Sequence, residues 1–128
     1  MPDPSPFAVL APFAVLAVAP VIGSFLGTVA SRWPGSPLRP ARSHCDHCGR
    51  VLSAVDLVPL LSWAVTRGRC RICGVWLGWF YPVVELAALA VAAAVVAAVP
   101  GAGWALWVGS LAGWAVLTVT LIAVWRAR

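Results

Sequence analysis

Four cysteines near the middle of the sequence form two matched pairs. Each pair has the spacing C-x2-C, the pairs are separated by 21 residues, and each is followed by a glycine, Gly49 or Gly74. The four cysteines are Cys45, Cys48, Cys70 and Cys73. Glycine can adopt a left-handed backbone conformation, so it lets the chain turn tightly around two thiolates. Zn(II) prefers four soft ligands in a closed tetrahedron, and zinc ribbons separate their pairs by roughly 15 to 20 residues, so the pattern predicts a structural zinc site.

Other chemistry is compatible with the same spacing. Two disulfides would not persist in a reducing compartment, and a single redox-active pair would leave the second pair unexplained. Iron in a rubredoxin-like tetrathiolate stays open, because spacing alone does not distinguish it from zinc. His44 and His47 flank the first pair. Since four cysteines already complete the coordination, we interpret both histidines as surface residues or as neighbours of the ligands.

The composition is that of a membrane protein. Of the 128 residues, 62% are hydrophobic and 10% are charged, whereas about a quarter are charged in an ordinary soluble domain. The formal net charge is +5, every cation is an arginine, and most charged residues fall between positions 32 and 71. A basic segment can bind nucleic acid, but no stacking or groove-binding motif accompanies this one. Orientation in a membrane explains the arginines with fewer assumptions, so no nucleic-acid partner is predicted.

Three apolar segments are long enough to cross a bilayer, which takes roughly 17 to 25 residues. They are residues 7–30, 83–99 and 104–124. Pro12 and Pro20 should bend the first helix without breaking it. A cleavable signal peptide is the competing interpretation, but no Lys or Arg precedes this segment and its apolar run is too long, so we expect an uncleaved anchor. Pro82 can open the second segment, and the turn at 100–103 closes it.

The arginines also predict the orientation. Seven lie between the first and second segments, two follow the third, and none precedes the first. By the positive-inside rule, the N-terminus lies outside and the cysteine loop and C-terminal tail are cytoplasmic. The predicted fold is an all-α membrane protein with about three transmembrane helices and a cytoplasmic zinc-ribbon-like loop between the first two. Its parts are an N-terminal helix at 1–30, the tetracysteine loop at 31–81, and two helices with a short tail at 82–128.

Two carboxylates outside the cysteine pairs need an explanation. Asp56 precedes an apolar stretch and can start a short helix by accepting backbone N–H bonds. Glu85 falls in the first turn of the second span, where the helix dipole favours an anion and loop arginines could pair with it. Because ionisable groups at membrane depth usually have a function, a functional carboxylate at Glu85 is the alternative.

Glycines and tryptophans predict how the helices pack. Gly23 and Gly27, and again Gly109 and Gly113, have the small-xxx-small spacing that permits close approach. The spacing explains packing within the chain as well as it explains dimerisation. Trp114 should lie mid-membrane, and the tryptophans at the ends of the third segment should lie at the interfaces.

Several short motifs occur in an ordered series. They are GSFL at 23–26 with Val29, Arg32 and Pro34, the first cysteine pair, DLVPLLSW at 56–63, RGRCRICG at 67–74 and YPVVEL at 81–86. The series resembles the bifunctional prepilin leader peptidase and N-methyltransferase enzymes of type IV pilus and type II secretion systems. The resemblance implies an N-terminal domain whose cytoplasmic cysteine loop binds zinc. Gly27, where an Asn is usual, and Phe80, where an Arg is common, depart from the family pattern.

The peptide-cleaving residues of that family are missing from this sequence. Family members cleave the leader with two membrane-embedded aspartates, the second in Gly-x-Gly-Asp, and such a dyad needs two carboxylates that share a proton. This sequence has no Gly-x-Gly-Asp, and Val124 stands where the resemblance puts the first aspartate. The acidic residues are Asp3, Asp46, Asp56 and Glu85. We therefore predict no catalytic residue for peptide cleavage in this chain.

The resemblance also implies partners and a cofactor. The substrates would be type IV prepilins or pseudopilins, and a separately encoded aspartyl peptidase subunit is a candidate partner in the lipid of the bacterial inner membrane. S-adenosylmethionine is the candidate cofactor for N-methylation, although no glycine-rich nucleotide loop is readable. The alternative function is a non-catalytic, membrane-bound zinc-ribbon interaction module, either a pseudoenzyme or a remnant.

Overall fold

The computed structural model describes residues 6–33, 35, 43–99 and 103–127. In chain order its elements are α1 (Pro6–Arg32), a 3-10 turn (Ala54–Leu57), α2 (Leu61–Thr66), α3 (Phe80–Ala98) and α4 (Gly103–Arg126). Within these ranges the chain forms no β-strand and only isolated β-bridges. The predicted all-α fold is confirmed.

α1, α3 and α4 are each long and apolar enough to cross a membrane. The three predicted spans are confirmed, with ends that shift by a few residues. α3 begins at Phe80. Pro82 is tolerated in its first turn, because a backbone N–H at that position would have no acceptor within the helix. α1 runs through Pro12 and Pro20 as one helix. The predicted closing turn includes residues 100–102, which lie outside the described residues.

α1 packs against both of the other long helices through small side chains. Ala11, Val15 and Ala19 recur every fourth residue and form one buried face of α1. Ala88 and Ala92 of α3 are fully buried in the same cluster. α4 contributes Leu106 and Trp114 to it. Because lipid tails are as apolar as these side chains, close van der Waals packing rather than water exclusion holds such helices together.

Glycines bring the long helices into close contact. A Cβ atom on Gly23 would lie 2.7 Å from the Cα atom of Glu85, and one on Gly27 would lie 3.3 Å from the Tyr81 ring. Gly109 and Gly113 of α4 likewise face valine side chains of α3. Both small-xxx-small pairs therefore serve packing within the chain.

Trp114 forms a hydrogen bond between α3 and α4. Its indole Nε1–H donates to the carbonyl oxygen of Ala88 at 3.0 Å, and its side chain is buried. An indole N–H in an apolar layer needs such an acceptor. Trp114 lies near the middle of α4, whereas Trp104 and Trp125 lie near its two ends.

One end of the helix bundle carries the cysteine segment. The rings of Phe80, at the start of α3, and Trp125, near the end of α4, are 5.1 Å apart. The last turns of α1, including Thr28 and Arg32, line the same cavity as these two rings. The three helix ends therefore form the surface on which the cysteine segment sits.

Replacing Gly23 by alanine should weaken the contact between α1 and α3, because the new Cβ atom would meet backbone at 2.7 Å. We expect the free energy of unfolding to fall by about 1 to 3 kcal/mol, the usual effect of overpacking. Thermal unfolding in detergent micelles measures it. Gly103→Ala is the matched control, since its Cβ atom would make ordinary contacts from 3.7 Å outwards. Equal melting temperatures for the two variants would contradict the close packing.

Candidate metal centre and the adjoining cavity

The two cysteine pairs have the same backbone geometry. In the first turn, the Cys45 N–H donates to the Arg50 carbonyl and the Gly49 N–H donates to the Cys45 carbonyl, both at 2.8 Å. The second turn repeats these bonds at the equivalent positions around Cys70, at 2.9 and 3.0 Å. Gly49 and Gly74 both have a φ of 69°, so the predicted left-handed glycines are confirmed. Open space surrounds both Cα atoms, so backbone conformation rather than crowding favours glycine here.

The four cysteine side chains converge on one point. All four Sγ atoms lie within 4.8 Å of one another. The Cys45 and Cys73 sulfurs are 3.8 Å apart, and the Cys48 and Cys70 sulfurs are 4.0 Å apart. A tetrahedral ion with metal–sulfur bonds of about 2.3 Å has sulfur–sulfur edges of about 3.8 Å, so the donor set fits Zn(II) or a similar ion. A disulfide would need about 2.05 Å, and all four cysteines are free.

The two histidines lie outside the thiol cluster. His44 is exposed and its Nε2 is 3.9 Å from the Asp46 carboxylate. His47 is also exposed. The group of potential ligands found in the described part of the chain contains the four cysteines and neither histidine.

The backbone around the second pair favours a thiolate. The N–H groups of Cys73 and Ile72 lower the pKa of the Cys70 thiol to about 6. The Val75 N–H acts in the same direction on Cys73, but burial and the neighbouring thiols raise the pKa of Cys73 to about 11. Four adjacent thiols cannot all ionise without a compensating cation. Metal binding would displace the remaining protons.

Asp56 does not start α2, and that prediction is wrong. It is the third residue of the 3-10 turn Ala54–Leu57, and α2 begins later, at Leu61. Its carboxylate turns back to accept hydrogen bonds from the Ser53 N–H at 3.0 Å and the Ser53 hydroxyl at 2.7 Å. The prediction failed because Asp56 lies inside a separate 3-10 turn capped by Ser53, so its carboxylate bonds back to Ser53 rather than forward to α2, whose N-cap position is Leu60.

The Asp56 carboxylate also connects the two cysteine turns. It accepts from Arg50, just after the first pair, at 2.7 Å and from Arg71, inside the second pair, at 3.0 Å. Its side chain is 8% exposed. The Ser53 hydroxyl and N–H, followed by the two arginines, hold the pKa of Asp56 below its usual range. Sequence analysis missed this role because Arg50 and Arg71 are far apart along the chain.

Three tryptophans support the second turn from one side. The Trp63 ring lies 4.2 Å from the Trp79 ring and 5.8 Å from the Trp76 ring. Trp63 Nε1–H donates to the Gly78 carbonyl at 3.0 Å. Gly68 passes so close to these rings that a Cβ atom there would lie 2.5 Å from Trp76. The cluster was missed from sequence, although a short loop rich in tryptophan was a signal for it.

Glu85 joins the cysteine segment to α3. Its side chain is buried within α3, and its Oε2 atom accepts the Leu60 N–H at 2.7 Å. Leu60 has a φ of 55°, an unfavourable value for a leucine, so this bond helps to hold it. The expected pairing of Glu85 with loop arginines is not found among the described arginines. Arg39 and Arg42 lie outside the described residues.

A cavity of about 550 Å³ separates the cysteine turns from the helix ends. All four helices and both turns contribute to its wall. The polar groups in the wall include Ser24, Thr28 and Ser31 of α1, which share one helix face, and Glu85 of α3. Cys45 and Cys70 also line the cavity. The spacing of the three hydroxyl residues within an apolar helix was the sequence signal for this cavity, and it was missed.

The chain matches one family model, that of the bacterial peptidase A24 N-terminal domain, over residues 17–99, which is more than half of the chain. It is 51% identical over 67 residues to a prepilin leader peptidase/N-methyltransferase of Myxococcus xanthus. It is 36% identical over 115 residues to a type 4 prepilin-like proteins leader peptide-processing enzyme of Escherichia coli. No solved structure matches the chain.

The matched regions cover only part of each relative. In the Myxococcus xanthus protein the match covers 51% of this chain and 20% of the relative. In the Escherichia coli protein it covers 73% of this chain and 42% of the relative. A prepilin leader peptidase/N-methyltransferase of Aeromonas hydrophila, 40% identical over 91 residues, is matched over 70% of this chain and 30% of the relative.

Replacing Asp56 by asparagine should loosen the two cysteine turns, because Arg50 and Arg71 would lose their shared anion. We expect a loss of about 1 to 3 kcal/mol in the free energy of unfolding at neutral pH. The pKa of Asp56 is lowered in the fold, so its contribution is present above the unfolded value of about 3.9 and is lost as the pH falls through the lower folded value. The difference from wild type should therefore shrink below about pH 4.

Asp46→Asn is the matched control for this measurement. The Asp46 side chain is fully exposed, and its ion pair with His44 is long, at 3.9 Å. Its loss should therefore change the free energy of unfolding by less than about 0.5 kcal/mol. Chemical denaturation of both variants across the acid range provides the comparison. A loss at Asp56 no larger than that at Asp46 would refute the connecting role.

Proposed function

This chain belongs to the family of bacterial peptidase A24 N-terminal domains, and from that premise we propose that it binds Zn(II) and helps to position type IV prepilins or pseudopilins for leader cleavage and N-methylation. The proposed ligands are Cys45, Cys48, Cys70 and Cys73. The observation that carries the proposal is the set of four Sγ atoms, all within 4.8 Å of one another, beside a cavity at the helix ends. The names of the relatives, which are prepilin leader peptidase/N-methyltransferases, support the choice of substrate.

The proposed ion is structural. Four thiolates would close its coordination and leave no position for a substrate or water. Cys45 and Cys70 are almost fully buried, as suits ligands rather than exposed reagents. When bound, the ion supplies a crosslink between two turns that are otherwise joined mainly through Asp56.

We propose that the cysteine segment faces the cytoplasm and that residues 31–81 form a metal-binding unit between helices at 1–30 and 82–128. The arginines support this orientation. Arg32 ends α1 and Arg126 ends α4. The remaining described arginines lie in the cysteine segment at the same end of the bundle, so the positive-inside rule assigns that end to the cytoplasm.

For leader cleavage we propose that the two catalytic carboxylates come from protein outside these 128 residues, with a separate aspartyl peptidase subunit as the leading source. The described carboxylates are committed to other contacts. Asp56 pairs with two arginines, Asp46 is exposed beside His44, and Glu85 is bonded to Leu60. None of them has the second carboxylate beside it that an aspartyl dyad requires.

Methyl transfer is the activity that the cavity favours over a bare interaction module. A volume of about 550 Å³ falls within the range of roughly 300 to 1,000 Å³ that is usual for small-molecule sites. Its wall combines aromatic rings, hydroxyl groups, carboxylates and guanidinium groups. S-adenosylmethionine is the proposed donor, and the new N-terminal amine of the cleaved pilin is the proposed acceptor.

The purified protein should contain one Zn(II) per chain, measured by elemental mass spectrometry. Cys70→Ser should lose most of the metal, because a hydroxyl is a poor substitute for a thiolate that already forms near neutral pH. His47→Ala is the control and should retain the metal, since His47 lies outside the thiol cluster. Metal loss in the histidine variant would refute the four-cysteine site, and iron in place of zinc would refute the choice of ion.

The proposed function predicts methyl transfer to cleaved pilin. Wild-type protein in detergent, supplied with leader-free pilin and S-adenosylmethionine carrying a labelled methyl group, should transfer the label to the pilin N-terminus. Cys70→Ser should lose at least about tenfold in rate, equivalent to about 1.4 kcal/mol, because one wall of the cavity is no longer fixed. No transfer by metal-loaded protein would leave the interaction module as the function.

Failure to co-purify with any Gly-x-Gly-Asp membrane protein would refute the separate-subunit version.

A further inference from the structure

A buried carboxylate in the cavity wall has neutral hydrogen-bond partners. Glu85 is 4% exposed and belongs to the cavity wall. The Leu60 N–H donates to its Oε2 atom, and Ser24 interacts with the same carboxyl group. Throughout the described ranges, the arginines and histidines in ion pairs contact Asp46 or Asp56 and not Glu85. Its charge is therefore not balanced by an ion pair of the kind that Asp56 forms among the described residues.

Three arginines of the cavity wall contact groups other than Glu85. Arg50 and Arg71 share the Asp56 carboxylate. Arg69 donates to the Gly74 carbonyl at 3.3 Å. Asp56 is therefore neutralised from within the chain, whereas Glu85 retains the capacity to bind a cation from outside it.

The position of Glu85 makes an unbalanced charge costly. It lies in α3, one of the helices suited to cross the membrane. Burial of an ionised carboxylate is unfavourable unless a cation or several donors compensate it. Such groups at membrane depth generally contact a substrate or an ion. A partner cation would remove this cost.

An organic ammonium group suits the site better than a metal ion. Mg(II) and Ca(II) need several oxygen ligands. Of the other two carboxylates in the cavity wall, Asp56 is occupied by arginines and Asp46 is fully exposed beside His44. Tyr81 lies one helical turn before Glu85 on the same face of α3. The Phe80 ring is 5.3 Å from the Tyr81 ring, and both line the cavity. Aromatic faces beside a carboxylate attract an ammonium group through cation–π interaction as well as charge.

We propose that Glu85 binds the N-terminal ammonium group of a peptide whose first residues occupy this cavity. The peptide as ligand class rests on the proposed function, while the carboxylate and its setting do not. The ammonium N–H groups donate to the Glu85 carboxylate. The α1 hydroxyl residues Ser24 and Thr28 lie in the same wall, where they can contact the peptide backbone. Glu85 is thus the residue that distinguishes a free N-terminus from a blocked or internal segment.

The test compares two synthetic peptides, identical in an apolar pilin-like N-terminal sequence, one with a free α-amine and one N-acetylated. Binding to zinc-loaded wild-type protein in detergent is followed by tryptophan fluorescence, because Trp63 and Trp125 line the cavity. We expect the free-amine peptide to bind about tenfold tighter than the acetylated one, equivalent to about 1.4 kcal/mol. In Glu85→Gln this preference should fall below about twofold. Asp46→Asn, which removes an equal charge from a fully exposed side chain of the same cavity wall, should retain it.

The remaining outcomes separate this inference from the proposed function. Equal binding of both peptides by wild type, or an unchanged preference in Glu85→Gln, overturns the role of Glu85 and leaves the proposed function intact. No binding of either peptide by metal-loaded wild type counts against the proposed function itself. If Glu85→Gln instead abolishes a preference for cationic S-adenosylmethionine over neutral S-adenosylhomocysteine and leaves the peptide preference unchanged, the cation is the methyl donor and the peptide assignment is wrong. Circular dichroism and metal content show whether Glu85→Gln is folded. Glu85→Asp retains the charge and should therefore keep the preference for the free-amine peptide.

Discussion

The hydrogen bond from the Leu60 N–H to the Glu85 carboxylate joins two parts of the chain with very different chemistry. On one side is a bundle of alanine-, valine- and glycine-rich helices, and on the other is an arginine-rich cysteine segment. The carboxylate can occupy this place because Gly23 lets α1 approach the Cα atom of Glu85 closely. A polar group in an apolar layer has to find its partners within the protein. The Leu60 N–H provides one, and the position of α2 above the helix ends follows from it.

Within the cysteine segment, a second carboxylate has a comparable connecting role. The two metal-binding turns are near-copies in backbone geometry, but nothing in either turn fixes its distance from the other. Asp56 does so by accepting from Arg50 and Arg71, one arginine from each turn. Two of the sulfur–sulfur distances, 3.8 and 4.0 Å, are close to the edge length expected around a tetrahedral ion. Such preorganisation lowers the entropy lost when an ion binds, because the turns do not have to find each other.

The sequence predicted the parts of this fold whose causes are local. Long apolar runs specify membrane helices whatever surrounds them, and the paired C-x2-C motifs with their following glycines specify the cysteine turns. The arginines that pair with Asp56 and the backbone N–H that bonds to Glu85 could not be predicted, because these contacts join segments that meet only after folding. Leu60 illustrates the difficulty, since its role comes from a backbone N–H that every residue except proline carries. The cavity was missed for the same reason, because its hydroxyl, aromatic and carboxyl groups come from four helices.

Some residues belong both to the cavity wall and to the proposed metal centre. The ion can therefore influence ligand binding in the cavity without taking part in catalysis. Cys45 and Cys70 are ligand candidates and also line the cavity. Fixing their sulfurs fixes that part of the wall, and Asp56 and the Trp63 cluster extend that rigidity towards α2. α2 in turn follows Leu60, whose N–H meets Glu85. A continuous set of contacts therefore runs from the proposed ion to Glu85, the carboxylate that we assign to a peptide amine. Loss of the ion would displace the cavity wall. The membrane helices would stay packed, because their own small residues hold them together.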